Sequence, residues 1–294
     1  MSTRRIKINR LLVPIDFSPL SLEALEFASF LAETVKADIT SLNVSEKLTD
    51  SGENSREGIE QRLSRQWQTL EAHLPLDPSI RHQVRVAEGK IHENILQVAA
   101  EEHTDLLVMG TNGIARLNPL TRFFLGSNTN RTVQSSPIPV LTLRALNRPV
   151  KIREILLPLD LTRQTRGKVN LGINMARLFD SRLHLVAVSD YFETLQGKTP
   201  ALERMMEEQA AKIREHSIEV TTEVIRHDDV AHSVVGYADE IEADLILIVT
   251  AQETKLDTLF MGSRAARVIA TARRPVLSVR PKNLETLFQQ ESNG

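Results

Sequence analysis

The chain has 294 residues, room for two domains of ordinary size, and its 41% hydrophobic and 25% charged residues are the balance of a soluble globular protein. A net charge of −2 gives no general attraction for nucleic acid, so no nucleic-acid partner is expected; the lack of cysteine excludes disulfides and thiolate metal sites and fits a reducing, cytoplasmic setting. No run of about 18 apolar residues exists, so no membrane association is expected, and the basic stretch "MSTRRIKINR" has no apolar core of the kind a secretory signal needs.

The first apolar run, Leu11 to Ile15, is short and rich in branched residues, which predicts a buried strand. After Asp16, Ser18 is placed to cap a helix whose first turn tolerates Pro19. Ala24, Phe27, Ala28 and Leu31 form that helix's apolar stripe. "ADITSLNV" predicts strand two. The polar loop "SEKLTDSGENS" then leads to a helix with the stripe Ile59, Leu63, Trp67 and Leu70. "RHQVRVA" is strand three, and "IHENILQVAAEEH" is a helix with Ile91, Ile95 and Val98 on one face. "DLLVM" is strand four, and a helix from about Ser127 leads to strand five, "PVLTLR". Alternating strands and helices predict a parallel sheet covered on both faces, with right-handed crossovers.

The same pattern occurs twice. "INRLLVPIDFS" recurs as "IREILLPLDLT", which maps Asp16 onto Asp160 at an offset of 144 residues. "SLNVSE" maps to "LVAVSD" at the same offset, "HTDLLVMG" to "EADLILIV", and "SPIPVLTLR" to "RRPVLSVR". Four matched segments in one order indicate a tandem duplication with its joint near Asn147–Val150. The expected fold class is therefore α/β. It comprises two tandem five-stranded parallel-sheet domains, Rossmann-like or nucleotide-binding-like, with strand order 3-2-1-4-5. The domains are expected over residues 1–147 and 148–282, with a C-terminal tail over 283–294.

In open parallel sheets, ligands sit beyond the carboxyl ends of the strands, where the winding reverses. With this order, Asp16 after strand one and Gly110 after strand four face each other. Gly110 and Gly113 carry no Cβ and would let backbone amides approach a ligand. Gly126-Ser127 opens the last helix, where free amides and the helix dipole favour a phosphate and the Ser127 hydroxyl adds a donor. The Asp16 charge repels phosphate and suits base amino groups or ribose hydroxyls. A lone glycine after a strand is usually a turn and a lone Gly-Ser usually a cap, so the combination carries the reading.

With these residues in place, the chain resembles the universal stress protein family along nearly its whole length, twice. "VPIDFS", "DLLVMGTNG", "FFLGS" and "SSPIPVLTLR" carry the resemblance. The family's ATP-binding branch has G-x2-G-x9-G-(S/T) after strand four; here twelve residues separate Gly113 from Gly126, with the surplus around "ARLNP". The resemblance implies that Pro14, Ile15 and Asp16 line the adenosine end, that Val44 meets the adenine edge through its backbone, and that Met109 and Gly110 border the ribose. Gly113, Gly126, Ser127 and Asn128 would cradle the phosphates. It further implies ATP or a related adenine nucleotide as ligand, with or without Mg2+, at most slow ATPase activity, and a role as a nucleotide-dependent stress-response regulator. The two domains would pair with each other, and a homodimer is left open. The other reading is a nucleotide-free interaction scaffold of the same fold.

The second copy keeps Pro158, Asp160, Val188 and Gly262-Ser263 but has no GxxG: family spacing lands on Val249 and Gln252, or on Thr250 and Glu253 with one deletion. It is expected not to bind ATP in the family manner. "QGKT" lacks the upstream glycine of a P-loop and, with Pro200 following, reads as a helix start. "RHDDVAH" holds His227, Asp228, Asp229 and His232, but helix capping already explains an aspartate there, and no metal site is expected.

Overall fold

The computed structural model describes residues 6–74, 76–111, 126–144, 151–162, 164–189, 197–250 and 263–286. The chain divides into two compact units, Lys7–Arg148 and Pro149–Gly294 together with Met1–Ile6. Ile6 belongs with the second unit, where its amide donates to Asn174 Oδ1 at 3.2 Å.

The first unit runs β1 (Arg10–Pro14), α1 (Pro19–Val35), β2 (Asp38–Ser45), α2 (Arg56–His73), β3 (His82–Glu88), α3 (Ile91–Glu101), β4 (Leu106–Gly110), α4 (Ser127–Ser135) and β5 (Val140–Leu143). Its strands are parallel in the order β3-β2-β1-β4-β5. β1 sits at the centre, with Leu11 in register with Ile39 on one side and Leu106 on the other. Leu11, Leu12 and Val13 are all buried, which is why this strand reads as a continuous apolar run without alternation.

α1 begins where the sequence sets its cap. Ser18 is extended, its Oγ accepts from the Ser21 amide at 3.3 Å, and Pro19 takes the first turn. The helix ends at Lys36, which adopts a left-handed φ of 58°. Ala24, Phe27, Ala28 and Leu31 are buried.

α2 buries only Ile59, Leu63 and Trp67. Trp67 stacks on His82 at 3.9 Å between ring centroids, and Ser41 Oγ lies 2.9 Å from His82 Nε2. Burial pushes the His82 imidazole down to about 4. An unfolded histidine takes its proton near 6.5, so between pH 6.5 and 4 the unfolded chain binds the extra proton. Stability contributed at neutral pH is then lost as the pH falls through that window, by on the order of 2–3 kcal/mol. His82→Phe keeps the stack and is expected to flatten this stretch of the stability-versus-pH curve, measured by urea denaturation.

The second unit repeats the plan with β6 (Glu154–Leu159), α5 (Thr165–Phe179), β7 (Arg182–Ser189), α6 (Thr199–Arg214), β8 (Val220–Arg226), α7 (Val230–Glu240), β9 (Leu245–Val249), α8 (Ser263–Thr271) and β10 (Val276–Val279). Its parallel order is β10-β9-β6-β7-β8, the same topology as in the first unit. The sequence reading sets Asn283–Thr286 in the tail; instead they form a short helix, α9. Leu284 is the reason: it is buried against α5 at Gly167, where a Cβ would stand 3.0 Å from Leu284 Cδ1. A single leucine in a polar tail gives too little periodicity to be read as packed.

Candidate functional site

Beyond the carboxyl ends of β1 and β4, where the winding of the first unit reverses, lies a cavity of about 260 Å3. Pro14, Ile15, Asp16 and Val44 line one end of it. Met109, Gly110, Gly126, Ser127 and Asn128 line the other. Gly113 and the lengthened stretch before Gly126 lie outside the described residues. Ser18, Ser21, Leu42, Ile91, Ile95 and Thr129 complete the wall and were not read as site residues. The hydroxyl positions carry a signal that could have marked them: both copies place Ser or Thr two and five residues after the aspartate.

The carboxylate end is tightly held. The Ile15 amide donates to Leu42 O at 2.7 Å, and Asn43 Nδ2 donates to Ile15 O at 2.7 Å. Ser45 Oγ in turn holds Asn43 Oδ1 at 3.0 Å. Asp16 Oδ1 accepts from the Ser18 amide at 3.0 Å and from Ser18 Oγ at 2.5 Å. Among the described residues no donor reaches Oδ2, and the side chain is exposed, so one oxygen remains for a ligand's donor. Phe17, next in the chain, sits at φ 60°, a conformation unusual for a bulky residue, with the Arg62 guanidinium 3.8 Å over its ring. Backbone strain of this kind concentrates beside ligand sites.

At the opposite end, α4 starts at Gly126, which offers no side chain to cap its first amides. The Gly126 amide donates to Thr111 O at 2.9 Å, and Thr129 Oγ1 donates to Gly110 O at 3.1 Å, fixing the helix start against β4. Among the described residues no side chain caps these amides, and free amides with the positive end of the dipole at a helix start are what favours an anion in general.

Packing adds a second reason for glycine at position 110. A Cβ there would stand 2.9 Å from Leu20 Cγ and 3.3 Å from Leu20 O, so the missing side chain also admits α1 against the strand end, while the residue itself lines the cavity. Gly110→Ala is expected to cost about 1–3 kcal/mol by overpacking, read as a lower urea midpoint.

The second unit differs at both ends. Asp160 Oδ1 accepts from the Thr162 amide at 3.3 Å and Thr162 Oγ1 at 2.5 Å, as in the first unit, but Lys168 Nζ also reaches it at 2.9 Å. Burial acts to raise the Asp160 carboxyl. The Lys168 charge, with the Thr162 and Lys168 hydrogen bonds, outweighs it and holds the group below the usual carboxylate range. β9 ends in Val249, paired with Val279 as Gly110 is with Leu143. Thr250 is buried; Gln252, Glu253 and Gly262 lie outside the described residues.

Thr199 and Pro200 open α6, as their sequence suggests. Asp229 caps α7 by accepting from the His232 amide at 3.1 Å and pairs with Arg267 at 2.5 Å, while His227 Nδ1 accepts from the Asp229 amide at 2.9 Å. Among the described residues no group of three or more His, Asp or Glu side chains is arranged to hold a metal ion, and no helix is long and apolar enough to cross a membrane.

Comparison with known proteins accords with this fold. The model of the universal stress protein family matches residues 7–144 and again 151–280. A universal stress protein of Thermus aquaticus is 35% identical over 88 residues, 30% of this chain and 62% of that relative, so under two thirds of its length is spanned. One from Methanocaldococcus jannaschii is 26% identical over 145 residues, 45% of this chain and 85% of its own. Among solved structures, a functionally unknown protein from Pseudomonas aeruginosa superposes with a TM-score of 0.71 at 17% identity, covering 96% of each chain. A universal stress protein from Archaeoglobus fulgidus gives 0.67 at 19% identity over 94% of this chain and 97% of its own. At such identities the likeness concerns the fold.

Proposed function

The chain belongs to the universal stress protein family, and on that premise we propose that its first unit binds ATP or a related adenine nucleotide and regulates a stress response according to its occupancy. The observation that carries this is the cavity itself: one exposed carboxylate oxygen at one end and, at the other, a helix N-terminus with no side-chain cap among the described residues, joined by an apolar wall. Pockets that bury small ligands measure about 300–1,000 Å3. At about 260 Å3 the cavity suits a nucleoside body, with the phosphates lying along the start of α4. Ile91, Ile95 and Leu42 supply apolar surface for a base, and Asp16 supplies the acceptor that an exocyclic amine or a ribose hydroxyl needs.

Mg2+ would enter with the phosphates, beside the Ser127 hydroxyl. Asp16 is the only ionisable side chain among the described lining residues, and it lies at the nucleoside end, so the reading is of binding with at most slow hydrolysis. The second unit, with its strand-end carboxylate already paired, is read as a partner for the first and not as a second nucleotide site.

The test is direct. Purified protein is denatured and the supernatant run on anion exchange, and the folded protein is titrated with ATP by calorimetry. Released adenine nucleotide, or saturable binding at one site per chain, is expected. Neither would leave the family's fold serving as a nucleotide-free interaction scaffold.

A further inference from the structure

Each unit carries an aspartate after its first strand, but only the second supplies that aspartate with a cation. Lys168 lies on α5, eight residues after Asp160; eight residues after Asp16 the first unit has Ala24, fully buried. The Lys168 side chain is only 9% exposed although its partner is 52% exposed, so the ammonium comes up from inside the unit to meet the carboxylate at its base. Long helical side chains lean toward the helix N-terminus, which aims Lys168 at the strand end where Asp160 stands. It lands on Oδ1, the oxygen already holding both Thr162 donors, so this carboxylate has three donors and a neutralising charge where Asp16 has two donors and none.

We propose that Lys168 is a built-in counter-ion whose charge neutralises the carboxylate that a ligand's hydrogen-bond donor would seek, so that the second unit is closed to nucleosides from within the chain and Lys168 is the residue that sets this difference between the two units. The proposal rests on the reading of Asp16 as the acceptor for a nucleoside in the first unit. A buried ammonium within 2.9 Å takes up the negative potential that would draw an amine or a sugar hydroxyl. A nucleoside arriving at Asp160 would meet a carboxylate whose charge is already satisfied by a charge-assisted bond within the chain, and its second oxygen would be a weaker acceptor.

The experiment uses full-length protein and radiolabelled adenosine in equilibrium dialysis, because adenosine has no phosphates and so does not report on the altered glycine segment. Asp16→Asn is expected to weaken binding at least about tenfold, giving a silent first unit. Adding Lys168→Ala, the residue the first unit already has at this position, is expected to restore one site per chain, while adding Lys168→Arg, which keeps the cation, is not. Lys168→Met keeps the buried stem without the charge and is expected to restore the site too, so it replaces the alanine variant if that fails to fold. Folded D16N/K168A and D16N/K168M binding no better than D16N would overturn the proposal, as would equal recovery with arginine. Wild-type protein that binds no adenosine while D16N/K168A does would sink the first unit's nucleoside reading and leave this one standing; binding by wild type without recovery in the double variants would do the reverse.

Discussion

Asp16→Asn is expected to weaken adenine-nucleotide binding by about 10- to 100-fold and to leave the melting temperature within about 2 °C. The substitution keeps an oxygen for the two Ser18 donors at 3.0 and 2.5 Å, so the start of α1 stays in place. It replaces the other oxygen, which no described residue uses, with an amide that donates where the ligand also donates. Hydrogen bonds to charged groups contribute about 1.5–3 kcal/mol, and each 1.4 kcal/mol is a factor of ten in affinity. Calorimetric titration with ATP beside a thermal melt checks both halves of the statement. Unchanged affinity in a folded variant would remove Asp16 from the site.

The same change in the second unit should act on stability instead. Asp160→Asn leaves the Lys168 ammonium buried against a neutral amide. Removing one partner of a fully buried ion pair costs about 3–5 kcal/mol; because Asp160 is half exposed and its side of the pair is screened, about 1–3 kcal/mol is expected here. The pH dependence follows from the depressed carboxyl. The pair's contribution is present above the unfolded carboxylate value near 3.9 and is lost as the pH falls through the lower folded value. Urea denaturation should therefore separate the variant from wild type at pH 7 and bring the two together in strong acid, with nucleotide binding by the first unit unaltered.

What the sequence makes legible follows from what repeats in it. Branched apolar runs, such as Leu11–Ile15 and its partner before Asp160, fix strands because both faces are buried and nothing polar interrupts them. Turn chemistry is equally plain: Ser18-Pro19 and Thr199-Pro200 both start helices. Asp16, Gly110 and Gly126 are far apart in the chain and meet only because the winding reverses between β1 and β4, so their meeting is readable once the strand order is assumed. Other features depend on packing that no local pattern encodes. Gly110 reads as a residue that makes way for a ligand; that its missing Cβ also makes way for Leu20 is visible only in the packing. Lys168 looks like one more solvent-facing lysine on a helix; only its burial distinguishes it. Phe17 gives no sign of its left-handed backbone, since phenylalanine rarely adopts it.

The Ser18 hydroxyl gives its one proton to Asp16 while receiving the amide of Ser21 on its lone pair. That hydroxyl ties the first turn of α1 to the carboxylate, so Ser18→Ala would remove the helix's N-cap and one of the two donors on Asp16 in a single change.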